Sequence, residues 1–226
     1  VVLAHYDHIA GCMGADDNAT GVAGVLEIAR ILSLQDILPY TAVLICADEE
    51  ERGLIGSAAY ADRAAANGDD IRVAMSFDMI GYTNDATNSQ TFPDGIELLA
   101  PELYAEFEAR GFVADFISAI GNESTVEAIT ALQTYAEAND LPIGAIAVAD
   151  AVLGLDIADD LRRSDHASFW NAGYPALIIS DTAELRNPNY HCWSGEDTLD
   201  TLNHDFSKQV VQMVTGASLS LLGVDP

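Results

Sequence analysis

The sequence predicts an α/β protein in which helices cover a central sheet. Short apolar runs rich in β-forming residues alternate along the chain with longer stretches of helical periodicity. Several of the runs are continuously apolar, which is typical of strands buried on both faces. The chain has 226 residues, of which 50% are hydrophobic, so one large domain with a substantial core is feasible. We therefore expect a single domain over residues 1–226.

Six apolar runs are expected to form the strands of this sheet. They are Val1–Tyr6, Thr41–Ala47, Ile71–Phe77, Phe112–Ile120, Ile143–Ala149 and Pro175–Ser180. Cys46, in the second run, is interpreted as a small buried hydrophobic residue.

Apolar residues at helical spacing predict the helices between and after these strands. The predicted helices are Ala19–Ser33, Leu54–Ala66, Pro101–Arg110, Ser124–Asn139 and Asp205–Leu222. Asp165 can cap a further short helix that ends at Gly173. The polar segment 84–95 predicts a loop, and the acidic segment 150–163 predicts irregular structure.

The chain is strongly acidic, and this charge excludes some classes of partner. It has 36 acidic and 9 basic side chains, for a net charge of −27. This charge repels nucleic acid and anionic lipid, so we expect neither as a partner. No apolar stretch reaches the roughly 18 residues that a membrane-spanning helix needs. The acidic surface suggests a secreted or periplasmic setting, although solubility alone would also explain it.

Acids and histidines follow three consecutive predicted strands. The first ends in His5-Tyr6-Asp7-His8, the second in Asp48-Glu49-Glu50-Glu51, and the third in Phe77-Asp78. In open α/β sheets, ligands bind beyond the carboxyl ends of the strands. Solvated strand ends are often polar, but three ends made of His, Asp and Glu without a lysine favour a metal site.

Two pairs of side chains in this set suggest a division of roles. His5 and Asp7 are two residues apart and point to the same side of an extended strand, so Asp7 can orient the imidazole of His5. Glu50 and Glu51 are adjacent and cannot share one orientation. One of them can therefore ligate metal while the other faces substrate and moves protons.

Seven segments, in order along nearly the whole chain, together resemble the dizinc aminopeptidases typified by bacterial leucyl aminopeptidases. These segments are His5-Tyr6-Asp7, Gly14–Gly21, Glu50–Ser57, Phe77-Asp78-Met79, Ser164–Phe169, Asn171–Pro175 and Asn187–His191. Several motifs in one order are far more specific than any one of them. The resemblance implies a three-layer α/β sandwich with a mixed, largely parallel central sheet.

The resemblance also implies two zinc ions and a set of ligands for them. Asp17 matches the carboxylate that bridges the two ions. His5 and Asp78 match the remaining protein ligands of one ion, and Glu51 and His191 match those of the other. Three carboxylates against two Zn²⁺ leave one positive charge, which a bridging hydroxide would neutralise.

Other site residues follow from the same match. Glu50 matches the general base that passes a proton from water to the leaving amine. Asp16 is expected beside the bridging carboxylate, and Asp165 and His166 are expected to support the site without ligating metal. The resemblance thus implies a zinc exopeptidase that removes the first residue of peptides with a free N-terminus.

Three other functions of related proteins remain open at this point. Glutaminyl cyclases share the fold but use one zinc ion, and carboxypeptidases also occur among the relatives. Arg162 or Arg163, in a segment expected at the rim of the site, could contact a substrate carboxylate, although surface ion pairs are the commoner role of such residues. A receptor-like binding domain with decayed metal sites is the third alternative, and the intact ligand set argues against it.

The chain departs from the family pattern in two respects. Only four residues precede His5, whereas the family domain normally has a leading helix and at least one strand there. We expect residues 1–226 to lack these elements, either because the sequence begins inside a longer chain or because this protein lost an edge of its sheet. Cys12 and Cys192 each lie within a few residues of an implied metal ligand, and we expect them to be able to pair across the site.

Overall fold

The computed structural model describes residues 1–224 and contains a six-stranded sheet. Its strands are β1 (Val2–His5), β2 (Leu44–Ala47), β3 (Ala74–Phe77), β4 (Ile117–Asn122), β5 (Ile143–Val148) and β6 (Ala176–Ser180). All six predicted strands are therefore present.

The sheet is mixed and largely parallel, as predicted. The strand order is β2-β1-β3-β6-β4-β5. Strands β2, β1, β3 and β6 run parallel to one another, whereas β4 is antiparallel to β6 and β5 is parallel to β4. His5 pairs with Ala47, and Ala4 pairs with Phe77, so the carboxyl ends of β1, β2 and β3 are level.

Helices cover both faces of the sheet. They are α1 (Gly21–Leu32), α2 (Ile55–Asn67), α3 (Ile96–Leu99), α4 (Pro101–Ala109), α5 (Val126–Ala138), α6 (Asp150–Leu153), α7 (His166–Asn171) and α8 (His204–Leu221). Apolar residues of α1, α5 and α8 form one core with the sheet, and those of α2 and α7 form a second.

The alternation of side chains along β1 separates these two cores. Val2 and Ala4 lie in the larger core, and Leu3 between them lies in the smaller one. Successive side chains of a strand point to opposite faces, so a continuously apolar strand serves both layers. This packing confirms the three-layer α/β architecture.

The structure corrects two expectations about the strands. Cys46 is exposed, so its interpretation as a buried residue is wrong. It lies on β2, which is an edge strand with a neighbour on one side only. Strands β2, β3 and β4 begin at Leu44, Ala74 and Ile117, each later than predicted. Phe112, at the predicted start of β4, instead packs its ring against Phe92 and Tyr104.

Of the two segments predicted to lack regular structure, one is a loop and the other is helical. Residues 84–95 form a loop in which Asn84 makes an isolated bridge to Ala114. The acidic segment 150–163 contains α6 and a 3-10 helix over Asp156–Arg162, so the prediction of irregular structure there is wrong. Among residues 1–224, no helix is long and apolar enough to cross a membrane.

Candidate metal centre

The five predicted metal ligands come together beyond the carboxyl ends of β1, β2 and β3. His5 is the last residue of β1, and Asp78 directly follows β3. Asp17 lies in the turn before α1, and Glu51 lies in the turn after β2. His191 lies in a loop that follows β6. Residues that are distant in sequence therefore meet at one edge of the sheet.

The first group of donor atoms consists of His5, Asp17 and Asp78. The Nε2 atom of His5 lies 3.4 Å from Oδ1 of Asp17 and 3.6 Å from Oδ1 of Asp78. His5 is buried. These three side chains can each offer one ligand atom to a single ion, with the atoms within 4.8 Å of one another.

The second group consists of Asp17, Glu51 and His191. The Nε2 atom of His191 lies 3.3 Å from Oδ2 of Asp17 and 3.3 Å from Oε2 of Glu51. This group satisfies the same 4.8 Å limit. Asp17 therefore belongs to both groups and presents a different carboxylate oxygen to each.

The donor atoms fit the metal that the sequence implies. Nε2 of His5 and Oε1 of Glu51 are buried and have no hydrogen-bond partner. Buried polar atoms are normally satisfied, so these two atoms point to ions as their partners. Imidazole nitrogens and carboxylate oxygens in groups of three are the donors of zinc sites that leave positions open for water or substrate.

The crowding of acids perturbs the ionisation of the site. Burial lowers the pKa of His5, but the nearby carboxylate of Asp78 and the charges of Glu50 and Asp17 outweigh it and raise the pKa to about 11. Burial, followed by the charge of Asp78, raises the pKa of Glu50 to about 9. Burial, followed by the charge of Asp17, raises the pKa of Glu51 to about 7.

Asp7 acts on the site differently from the expectation. The Nδ1 atom of His5 hydrogen-bonds to the main-chain carbonyl of Asp7 at 3.1 Å, whereas the Asp7 carboxylate is 3.6 Å away. That carboxylate instead accepts hydrogen bonds from the main-chain N–H groups of Glu50, at 3.0 Å, and Glu51, at 3.3 Å. Asp7 thus holds the turn that carries both glutamates, besides fixing the ring of His5 through its backbone.

Asp16 is buried next to Asp17, as expected. Its carboxyl group accepts hydrogen bonds from Gly81 N–H at 2.9 Å and from the side-chain amide of Asn187 at 2.8 Å. Burial and then the charge of Asp181 raise its pKa well above the usual range. Asp181 was missed by the sequence analysis, because a buried acid after an apolar strand looks like an ordinary strand end.

Asp165 and His166 lie at the start of α7, but Asp165 does not cap the helix through its side chain. Both carboxyl oxygens of Asp165 are buried without a hydrogen-bond partner, and burial raises its pKa to about 6. His166 is buried, and its Nε2 hydrogen-bonds to the carbonyl of Leu161 at 2.7 Å. Burial lowers the pKa of His166 to about 4, so it is a neutral packing residue.

The loop that carries His191 is cross-linked to the turn that carries Asp17. Cys12 and Cys192 form a disulfide with a Cα–Cα distance of 5.6 Å. This is the pairing expected across the site. The ring of Tyr190 stacks on that of His191 at a centroid distance of 3.8 Å.

Both groups line a cavity of about 550 Å³. Its lining also includes an apolar wall formed by Phe92, Leu103, Tyr104, Phe107 and Ile146. Arg162 and Arg163 line it as well. Arg163 is ion-paired with Glu184, and Arg162 hydrogen-bonds to the side chain of Asn171. Both guanidinium groups are therefore engaged within the protein.

Comparison with known proteins places the chain in a peptidase family. Residues 1–218 match the model of Peptidase family M28. An uncharacterized protein of Escherichia coli strain K12, YfbL, is 32% identical over 95% of this chain and 64% of its own length. Leucine aminopeptidase 1 of Ajellomyces dermatitidis is 25% identical over the whole chain and 53% of its own length. The chain thus spans about half to two thirds of these relatives.

Solved structures share the fold at low sequence identity. The LapA aminopeptidase of Legionella pneumophila has a TM-score of 0.69 at 21% identity, covering 99% of this chain and 52% of its own. A zinc aminopeptidase of Bacillus subtilis has a TM-score of 0.64 at 21% identity, covering 97% of this chain and 45% of its own. A glutaminyl cyclase of Porphyromonas gingivalis has a TM-score of 0.59 at 19% identity, covering 97% of this chain and 72% of its own. The family match over residues 1–218 shows that the chain belongs to Peptidase family M28.

Proposed function

We propose that this protein is a two-zinc aminopeptidase. The observation that carries the proposal is the orientation of Asp17, whose two carboxylate oxygens face different groups of donor atoms. His5 and Asp78 would complete the site of one zinc ion, and Glu51 and His191 would complete the other. When bound, the two ions would activate water and polarise the scissile carbonyl group.

Glu50 is proposed as the general base. It lines the cavity beside both donor groups, yet neither group includes it. The positive charge of two bound zinc ions would favour the ionised form of Glu50 and so oppose the rise in its pKa. A carboxylate in that place can take a proton from the attacking water and deliver it to the nitrogen of the leaving group. Asp7 assists by holding the main chain of Glu50, so that Glu50 faces the cavity while its neighbour Glu51 faces the ion.

The ion pair of Arg163 favours an aminopeptidase over a carboxypeptidase. A carboxypeptidase needs a free cation for the terminal carboxylate, whereas Arg163 at this rim is paired with Glu184. The apolar wall of the cavity suits a first residue with an apolar side chain.

A glutaminyl cyclase is the second candidate, supported by the likeness to the enzyme of Porphyromonas gingivalis. The metal count separates the two proposals, because the cyclase alternative uses one zinc ion and the aminopeptidase uses two. The second complete donor group, with His191, favours the aminopeptidase.

We also propose that the protein works in a secreted or periplasmic setting. The Cys12–Cys192 disulfide supports this, because disulfides persist in oxidising compartments. The net charge of −27 is compatible with it.

A panel of aminoacyl chromogenic substrates tests the proposed activity. The purified protein is assayed after chelation, after addition of zinc, and with N-acetylated versions of the same substrates. We expect zinc-dependent release of the chromophore from free aminoacyl substrates and none from the acetylated ones. Cyclisation of an N-terminal glutamine, without hydrolysis of the panel, would favour the cyclase instead.

A further inference from the structure

Asp197 is a buried acid that lies directly behind the turn carrying the bridging carboxylate. Its side chain is fully buried, with a relative exposure of 0%. Its Oδ1 accepts a hydrogen bond from the N–H of Asp16 at 2.9 Å. Its Oδ2 accepts from the N–H of Asp17 at 3.0 Å and also lies 3.1 Å from the N–H of Asp16. One carboxylate therefore holds two consecutive peptide groups, the second of which belongs to the bridging residue.

These contacts fix the main chain from which the Asp17 side chain departs. Hydrogen bonds to an ionised acceptor are shorter and stronger than those between neutral groups, so Asp197 strongly restrains the main chain of this turn. Asp17 and Asn18 have backbone angles outside the helical region, in a turn that is otherwise helical. An unsupported turn of this kind would sample other conformations and move both carboxylate oxygens of Asp17.

Asp197 also connects this turn to the loop of the other ligand. It lies six residues after His191 in the chain. Its carbonyl accepts a hydrogen bond from the N–H of Ala15 at 3.3 Å, and its own N–H contacts the sulfur of Cys192 at 3.5 Å. His191 and Cys192 both have positive φ angles, of 51° and 58°, which non-glycine residues adopt only when their surroundings hold them there.

We infer that Asp197 is a positioning residue for the metal centre, and that it fixes the bridging Asp17 and the His191 loop in one arrangement. It contacts no substrate and donates no atom to either metal group. This inference rests on the proposed function, because it concerns the two zinc sites assigned there. Both sites share Asp17, and the site with His191 has two of its three ligands in the segments that Asp197 joins.

The test compares Asp197→Asn with Asn203→Ala by zinc titration of the chelated proteins. In the wild-type protein, both carboxylate oxygens of Asp197 accept hydrogen bonds from peptide N–H groups. In either orientation of the Asp197→Asn amide, its NH₂ group replaces one of these oxygens and faces a peptide N–H that it cannot accept from. We expect zinc affinity to fall by about 10–100-fold, the usual effect of losing a partner that orients metal ligands. Zinc affinity should fall more at the site that contains His191 than at the site that contains His5.

Asn203→Ala is the matched control because it also removes a side-chain acceptor of a main-chain N–H. Asn203 accepts from Phe206 N–H at 3.1 Å and caps α8, without touching a metal ligand. We expect this variant to melt at a lower temperature and to bind zinc as the wild-type protein does. A general loss of stability would weaken zinc binding equally in both variants.

Amide hydrogen exchange in the zinc-free wild-type protein gives an independent readout that needs no variant. We expect the N–H groups of Asp16 and Asp17 to be protected, because Asp197 holds both of them before any ion is present. Exchange of these amides at the rate of a free peptide would overturn the inference even if Asp197→Asn failed to fold.

The remaining outcomes separate this inference from the proposed function. If the wild-type protein takes up fewer than two zinc ions, the proposed function fails. The exchange experiment would still test whether Asp197 holds the N–H groups of Asp16 and Asp17. If the wild-type protein takes up two and Asp197→Asn binds them equally well, Asp197 is not a positioning residue and the proposed function stands.

Discussion

The two donor groups of the proposed metal centre are supported by different parts of the molecule. His5 and Asp78 lie at or directly after the ends of adjacent sheet strands, and His5 is buried with 1% exposure. Glu51 and His191 lie on turns outside the sheet, and the His191 side chain is 18% exposed. The sheet places the first pair, whereas the second pair depends on cross-links between loops.

This difference explains where the supporting interactions are found. The Asp7 carboxylate holds the turn with Glu51, and the Cys12–Cys192 disulfide holds the loop with His191. The main chain at a strand end needs no such cross-link, because the hydrogen bonds between strands and the packed core already fix its position. Removal of these cross-links should therefore weaken metal binding by the second group first. Replacement of the shared ligand, Asp17, should weaken metal binding by both groups.

Replacing the shared ligand should have the largest effect. In Asp17→Ala, both groups lose a donor atom, so we expect the purified protein to retain neither zinc ion and to show no zinc-dependent hydrolysis. Metal analysis after gel filtration measures this directly. Retention of two ions per chain would show that Asp17 does not join the two groups.

Replacing the proposed base should affect turnover and leave both groups intact. In Glu50→Gln we expect kcat to fall by about 10²–10⁴-fold, the usual contribution of a general base. The zinc content should stay at the wild-type value, because Glu50 belongs to neither donor group. Steady-state kinetics and metal analysis on the same sample check the prediction, and substantial hydrolysis by this variant would remove Glu50 from the mechanism.

Breaking the disulfide should act on one group more than the other. We expect Cys12→Ser to lower the free energy of unfolding by roughly 2–4 kcal/mol, the typical contribution of a disulfide. Zinc should dissociate from the site with His191 before it leaves the site with His5. Cys46→Ser serves as the control, since its thiol is free and exposed on β2. Equal loss of zinc from both sites would contradict the conclusion that the second pair of ligands depends on cross-links between loops while the sheet places the first pair.

Acidification should weaken zinc binding, and the titration should distinguish the groups. A metal ligand must give up its proton, so each protonated ligand releases one on binding. His5, with a pKa of about 11, is protonated at neutral pH, and its group should release about one proton up to pH 9. Glu51, with a pKa of about 7, should release a proton only near and below neutral pH. Calorimetry in buffers of different ionisation enthalpy measures both.

The sequence was sufficient to predict the sheet, because β1, β3 and β6 are apolar on both faces and their patterns have no good alternative. It was less informative about β2 and β4. Cys46 looked buried because an edge strand and a central strand can share the same composition. Phe112 looked like part of a strand, and only the aromatic contacts around it show why β4 starts later.

The ligand groups and the Cys12–Cys192 cross-link could be predicted in outline, but the supports made by hydrogen bonds to main-chain N–H groups could not. His5, Asp17 and Asp78 stand beside strands or in a recognisable motif, so their position along the chain carries information. Asp197 and Asp181 are buried acids in ordinary polar segments, and their partners are main-chain N–H groups that leave no mark in the sequence. For the same reason, the carboxylate of Asp7 was assigned to His5 although its hydrogen bonds are with Glu50 and Glu51.

The most direct test of the two-zinc aminopeptidase is a zinc titration of the chelated protein with hydrolysis and metal content followed together. An apolar aminoacyl chromogenic substrate and its N-acetylated form are assayed at each point. We expect full activity at two zinc ions per chain and no cleavage of the acetylated form. Full activity at one ion, or equal cleavage of both forms, would contradict the assignment.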